Sequence, residues 1–248
     1  MSGSSGAAPA RPRDIWTRLA VDPLADPLAR WLARHRVVTP NRVTGVSGAL
    51  GVAAAVCLAT GRLREGGVLF LLRFFADCVD GKVARLQGTG SARGAVFDVG
   101  TDVVCVVGAY AALAYWATRE GHVGPAWSAA LLVSLGWYGW ALAHRKHLAS
   151  LAGRGDGGSR LHERRDVPVL GGWLGLCRRL GMSPVPWAVE VETVVLGLLP
   201  VLGPRWAPQG VYLACAFYLV ATTVNFARLA RLAALMDQSR ASVGGASR

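Results

Sequence analysis

Residues 77–102 read DCVDGKVARLQGTGSARGAVFDVGTD. Four carboxylates, Asp77, Asp80, Asp98 and Asp102, stand here in or beside segments that are otherwise apolar enough to enter a bilayer. An Asp at the centre of a membrane helix costs about 2.5–3.5 kcal/mol, so four cost about 10 kcal/mol or more before their mutual repulsion. A chain that keeps such an arrangement has a site there.

Helical spacing organises the stretch. At 100° per residue, Asp77, Asp80, Gly81, Ala84 and Arg85 fall within an arc of about 140° and share a face. Asp98 and Asp102 are i and i+4, one above the other on the next helix. Two such pairs meeting across the short Gly/Ser loop 87–93 form a cage of oxygen ligands. No His or Cys shares the face, which favours a hard divalent cation, Mg²⁺ or Mn²⁺, over zinc. Electrostatics asks for the same thing, because four close carboxylates in a poorly solvated site do not all stay ionised without a cation, and Lys82 and Arg85 do not suffice. Four carboxylates are enough for two ions about 3.5–4 Å apart, the clamp used in phosphoryl transfer. Gly81, Ala84 and Gly94 leave room for a diphosphate beside them.

Working outward, the 248 residues are 52% hydrophobic and 17% charged, which selects an integral membrane protein. The net charge of +12 lies in blocks between apolar runs. It points to anionic lipid surfaces or phosphate-bearing ligands, and no nucleic-acid motif accompanies it. Cys57, Cys78, Cys105, Cys177 and Cys215 have no CxxC spacing and read as small buried hydrophobes.

The expected fold is all-α, with six transmembrane helices preceded by an amphipathic interfacial helix. Residues 1–13 read as a disordered tail without the apolar core of a signal peptide. Residues 14–36 read as a juxtamembrane amphipathic helix, with Asp22-Pro23 and Asp26-Pro27 marking places where a helix restarts. Residues 39–236 form the catalytic domain, opened by Thr39-Pro40-Asn41. Its spans are expected at 43–60, 68–86, 95–118, 126–143, 184–202 and 211–232, with a basic connector over 144–182 and a disordered tail over 237–248. Gly45, Ala49 and Ala53 give the first span a smooth face for close helix packing. Of the 27 Lys and Arg, only Arg62, Arg64, Arg119 and Arg205 fall on one side, and Arg73 lies within a span. The positive-inside rule then makes both termini, the carboxylates and the connector cytoplasmic, in a multi-pass plasma-membrane protein.

The spacing Asp77-x2-Asp80-Gly81-x2-Ala84-Arg85-x8-Gly94-x3-Asp98-x3-Asp102 resembles, without departure, the signature of the CDP-alcohol phosphotransferase (CDP-alcohol phosphatidyltransferase) family. The likeness extends to Thr39-Pro40-Asn41 and the six-span layout and fades after the third span. It implies that Asp77, Asp80 and Asp98 are metal ligands, and that Asp102 lies close to two divalent ions and is the base that deprotonates the acceptor hydroxyl. Arg85 and the backbone at Gly81 would contact the CDP moiety, with Ala84 and Gly94 making space for it. CMP is the leaving group, and the family is a homodimer.

The basic connector favours a small anionic acceptor, with Arg145, Lys146 and Arg228 at the right depth to hold it. The expected reaction moves phosphatidyl from CDP-diacylglycerol to glycerol 3-phosphate, inositol or inositol phosphate, a step of phospholipid biosynthesis. The same chemistry with a CDP-linked small alcohol as donor remains open. Glu190 and Glu192 either favour the positive end of their helix or line the acceptor pocket, but two positions apart they do not both point at one site. Two other readings weigh less. A structural ion-pair network with Lys82, Arg85 and Arg93 explains neither the spacing nor the glycines, and a cation transporter leaves Gly81, Ala84, Arg85 and Gly94 without a role.

Overall fold

The computed structural model describes residues 14–35, 38–151, 172, 175–177, 179–184 and 187–245. The expected tail over 1–13 and most of the connector therefore lie outside the described residues. A π-helical turn, Thr17–Val21, leads into α1 (Asp22–His35). Then come α2 (Pro40–Ala59), α3 (Leu63–Gln87), α4 (Ala92–Arg119) and α5 (Pro125–Leu151). Three consecutive pieces, Ala188–Glu192, the π-helical Thr193–Leu198 and Leu199–Leu202, run on as α6, and α7 is Ala207–Gly245. No regular strand occurs among the described residues.

Four helical segments are long and apolar enough to cross a membrane: Pro40–Ala59, Ala92–Arg119, Pro125–Ser150 and Ala207–Gln238. The sequence led to an expectation of six. Of the other two, α3 has the length, at 25 residues, but carries Arg73, Asp77, Asp80, Lys82 and Arg85. It sits inside the molecule, with Arg73, Asp80 and Lys82 buried. The remaining one, α6, starts at Ala188 rather than 184 and is short. The outer faces of α2 and α4 are apolar, with Val46, Val52, Val56, Val99, Val103 and Val104 exposed, as befits a membrane protein.

Some boundaries differ for identifiable reasons. The first helix does not restart at Pro27, which lies inside α1; the proline there forgoes its bond to the carbonyl four residues back. The fourth span runs on to Leu151, so Arg145 and Lys146 are helical rather than part of a loop. The last helix continues to Gly245 where a disordered tail was expected from 237. Gln238, Arg240 and Ala241 are the good helix formers of that stretch.

The packing face of α2 is also not the expected one. Gly45, Ala49 and Ala53 face outward, while Thr44, Ser47, Gly51, Ala54 and Leu58 are buried. A Cβ on Gly51 would overlap the side chain of Cys105 on α4, so this face brings α2 and α4 into close contact. On the far half of the bundle, Leu58, Phe70, Tyr110, Leu113, Leu131, Val195, Val211 and Tyr218 form the apolar core. A second, smaller core joins α1 to α3 through Val21, Ala25, Ala29, Val79 and Val83.

Candidate active site

The chain turns sharply between α3 and α4. Gly88 ends α3 in the left-handed region at φ 65°, where a side chain would be strained, and its N–H closes the last turn. Ser91 then caps α4, its Oγ accepting the Gly94 N–H at 3.0 Å. This tight reversal turns the start of α4 to face the end of α3, both helices packing on α2.

The result is an acidic trio. Carboxylate oxygens of Asp77, Asp80 and Asp98 all lie within 4.8 Å of one another. Asp80 is buried and oriented by α2, because the Thr44 hydroxyl donates to its Oδ2 at 2.7 Å. Asp102, the fourth carboxylate, lies outside this trio. It pairs with the buried guanidinium of Arg73, which also stands 3.4 Å from Asp77.

The residues fit a divalent ion. Asp98 Oδ1 is buried with no hydrogen-bond partner among the described residues, an arrangement that costs free energy unless a cation takes up the lone pairs. Arg73 offsets one of the four charges. Lys82, which the sequence placed near the carboxylates, is turned to the opposite side of α3, where it donates to Asp22 and Asp26. All donors in the trio are hard oxygens.

Beside the trio is a cavity between the start of α2, the end of α3 and the start of α4. Asn41, Thr44, Asp80, Gly81, Ala84, Gly94 and Asp98 line it. A Cβ on Gly81 would meet nothing closer than the Arg85 guanidinium at 3.8 Å, so the space above Gly81 is open and Arg85 reaches over it. A Cβ on Gly94 would stand 3.1 Å from Ser91 Oγ and 3.5 Å from Asn41 Oδ1. The expected nucleotide residues are thereby brought to one place.

A second cavity, about 510 Å³, lies between α5, α6 and α7. Arg145, Lys146 and Arg228 line it together with Tyr138, Ser183, Trp187 and Asn225, and Arg145 donates to Asn225 Oδ1 at 2.9 Å. The two glutamates diverge. Glu190 accepts the backbone N–H groups of Ile15 and Trp187, each at 2.8 Å, whereas Glu192 accepts the Tyr218 hydroxyl at 3.1 Å.

Sequence reasoning missed Arg73, Thr44 and Asn41. Thr44 had a signal, standing one turn after Pro40 on the helix that Thr39-Pro40-Asn41 opens. Arg73 had only its position one turn before Asp77.

An oxygen-rich trio beside a small-residue cavity, held by apolar helices, is the arrangement of a membrane-bound phosphotransferase. The family model for CDP-alcohol phosphatidyltransferase matches residues 37–153. The chain is 34% identical over 190 residues to phosphatidylinositol phosphate synthase of Mycolicibacterium smegmatis, covering 76% of this chain and 83% of that one. It belongs to the CDP-alcohol phosphatidyltransferase family. Its fold is similar to crystal structures of Mycobacterium tuberculosis phosphatidylinositol phosphate synthase. The form with CDP-DAG bound gives a TM-score of 0.53 at 22% identity, over 84% of this chain and 94% of that one. The form with manganese and citrate gives 0.52 at 23%, over 83% and 88%. The protein is thus a membrane transferase of phospholipid biosynthesis, a CDP-alcohol phosphotransferase.

Proposed function

We propose that this enzyme transfers phosphatidyl from CDP-diacylglycerol to a hydroxyl of inositol phosphate, releasing CMP. The observation that carries the acceptor choice is the basic cavity. Three cations, Arg145, Lys146 and Arg228, line one space with Ser183, Asn225 and Tyr138, which offer hydroxyl and amide groups for a polyol. Cations suit a phosphate and the neutral groups suit a ring of hydroxyls. The relatives named phosphatidylinositol phosphate synthase support the same acceptor, and the CDP-DAG-bound neighbour supports the donor.

Asp77, Asp80 and Asp98 are the residues to hold divalent metal, Mg²⁺ or Mn²⁺, with Asp102 close by and two ions as the working number. When bound, the metal neutralises charge on the diphosphate and on departing CMP. The rest falls to side chains. Thr44 fixes the rotamer of Asp80. Gly81, Ala84 and Gly94 admit the nucleotide's diphosphate against the backbone, and Arg85 contacts it from above Gly81. Arg73 holds Asp102 through Oδ1 and orients it. Asp102 Oδ2 then takes the acceptor's hydroxyl proton. The acceptor oxygen forms a bond to the phosphorus that bears the donor's diacylglycerol, the diphosphate P–O bond breaks, and CMP departs. Positioning and electrostatics supply the rate.

In the membrane we place six spans, with α3 and α6 lying inside the bundle rather than against lipid, and α1 along the cytoplasmic interface. The exposure of Leu19, Leu24, Leu28 and Trp31 on the N-terminal segment supports this position for α1. The distribution of Lys and Arg supports a cytoplasmic active site.

The test is a mass-spectrometric product screen of the purified protein. CDP-diacylglycerol is supplied with inositol phosphate, inositol or glycerol 3-phosphate, with Mg²⁺ or Mn²⁺ present. Phosphatidylinositol phosphate with stoichiometric CMP is expected. A lipid product with glycerol 3-phosphate but none with inositol phosphate overturns the acceptor, and lipid-free products from soluble CDP-alcohols alone overturn the donor.

A further inference from the structure

The two sides of α3 face different things. Asp80, Gly81 and Ala84 line the nucleotide cavity, with Asp77 beside them in the acidic trio. On the opposite side Val79 and Val83 pack against Ala25 and Ala29 of α1, both fully buried. Lys82 sits among them, 8% exposed, and its ammonium donates to Asp22 Oδ1 at 2.5 Å and to Asp26 Oδ1. Asp22 and Asp26 are one helical turn apart, so both carboxylates close on one ammonium from a single helix.

The same segment also grips the other half of the molecule. Arg18 Nη1 stands 3.8 Å from Asp22 Oδ2, and its Nε donates to the carbonyl of Leu180 at 3.1 Å. Three residues earlier, the Ile15 N–H donates to Glu190 Oε1. The other oxygen of Glu190 accepts the N–H of Trp187, whose side chain lines the basic cavity. Residues 15–26 thus touch the carboxylate helix on one side and, through Glu190, reach Trp187 in the wall of the basic cavity on the other.

A buried ammonium between carboxylates is a weak source of stability, because desolvation offsets most of the attraction, but it fixes one register strongly. We propose that Lys82 is a positioning residue: with Asp22, Asp26 and Arg18 it makes the N-terminal segment a brace that sets the carboxylate helix relative to Leu180 and, through Glu190, to Trp187 in the wall of the acceptor cavity. The inference rests on reading the basic cavity as the acceptor site.

The test uses the full chain in detergent or nanodiscs, with D26N, K82M, K82R and the charge-free K82M/D22N/D26N. Because Asp26 is partly exposed, D26N is the variant that keeps the fold. The first readout is hydrogen exchange at the Ile15 and Trp187 amides, which do not contact Lys82. Exchange there is expected to rise about tenfold in D26N and in the charge-free variant, the size of coupling found within one network. The second is kcat for CMP release, expected to fall about tenfold with an unchanged donor KM. K82R keeps both near wild type, and the charge-free variant keeps the wild-type Tm. Unchanged Trp187 exchange in D26N and in the charge-free variant overturns the brace, as does a kcat that merely follows Tm across the set. Because exchange needs no substrate, wild-type protein inactive on inositol phosphate would sink the acceptor reading while the brace is still decided.

Discussion

Arg73 on α3 and Asp102 on α4 form an ion pair in which the arginine is 1% exposed and the aspartate side chain 47% exposed. One guanidinium thereby orders two of the four carboxylates, since Asp77 stands 3.4 Å away on the same nitrogen. Replacing Arg73 by Gln leaves both aspartates without their cation. Breaking a buried pair costs about 3–5 kcal/mol, and the exposure of Asp102 puts this one at the low end. Chemical denaturation in detergent should show that loss. CMP release should fall further than the stability loss explains, because Asp102 loses its orientation.

Asp102→Asn separates the proposed base role from the ion pair. The amide still accepts from Arg73, so the fold should survive with an unchanged melting temperature. It has no proton-accepting carboxylate, so kcat should fall by about 10²–10⁴ with the donor KM little altered. Single-turnover CMP release measures it, and full turnover by this variant would remove Asp102 from the base role.

Thr44→Val deletes the hydroxyl that orients Asp80 while keeping the side chain's shape. Loss of a group that orients a metal ligand weakens metal affinity by about 10–100-fold. Titrating Mg²⁺ or Mn²⁺ against CMP release should move the midpoint upward by that factor, with kcat recovering at saturating metal. Chelation with EDTA should silence the wild-type enzyme and added metal should restore it.

Gly94→Val places two methyl groups in the cavity beside Asn41 and Ser91. Gly94 is near the exposed start of α4, so stability should change by under about 1 kcal/mol. The expected effect is on donor binding, a KM for CDP-diacylglycerol raised about tenfold or more by steric exclusion. Affinity for CMP, measured by competition, should fall in parallel.

Arg228→Ala and Lys146→Ala remove cations from the basic cavity. A hydrogen bond to a charged group is worth about 1.5–3 kcal/mol, so each change should raise the KM for a phosphorylated acceptor by about 10–100-fold. The donor KM should be untouched. Any residual turnover of unphosphorylated inositol should be spared, and the ratio of the two acceptors is the quantity to measure.

The carboxylates were legible in the sequence because helical geometry is local. An i,i+3 pair and an i,i+4 pair have little choice of face once their helices form. Arg73 was not legible in the same way, since its partner is on another helix, brought near by the packing of α3 and α4 on α2. Lys82 shows the opposite failure. Its nearness in sequence to Asp80 suggested a shared charge cluster, yet it lies about 140° round the helix from Asp77 and turns to α1. The pair Asp22 and Asp26 was its visible counterpart, but each precedes a proline and therefore read as a helix cap. Arg145, Lys146 and Arg228 could be named from their depth at helix ends, whereas Ser183, Trp187 and Asn225 could not, because only the packing of the entry to α6 between α5 and α7 gathers these. The sequence reads as six spans, but among the described residues four helices are long and apolar enough to cross a membrane, because α3 carries Arg73, Asp77, Asp80, Lys82 and Arg85 and α6 is short.

The acidic trio and its cavity are built from α2, α3 and α4 alone, while the basic cavity draws on α5, α6 and α7. On the function proposed above, bond breaking and acceptor choice fall in separate stretches of sequence, one before residue 119 and one after it. A lineage can change what it makes by rewriting the second stretch while the first is inherited whole, and a chimera joined in the turn between α4 and α5 would do the same in one step.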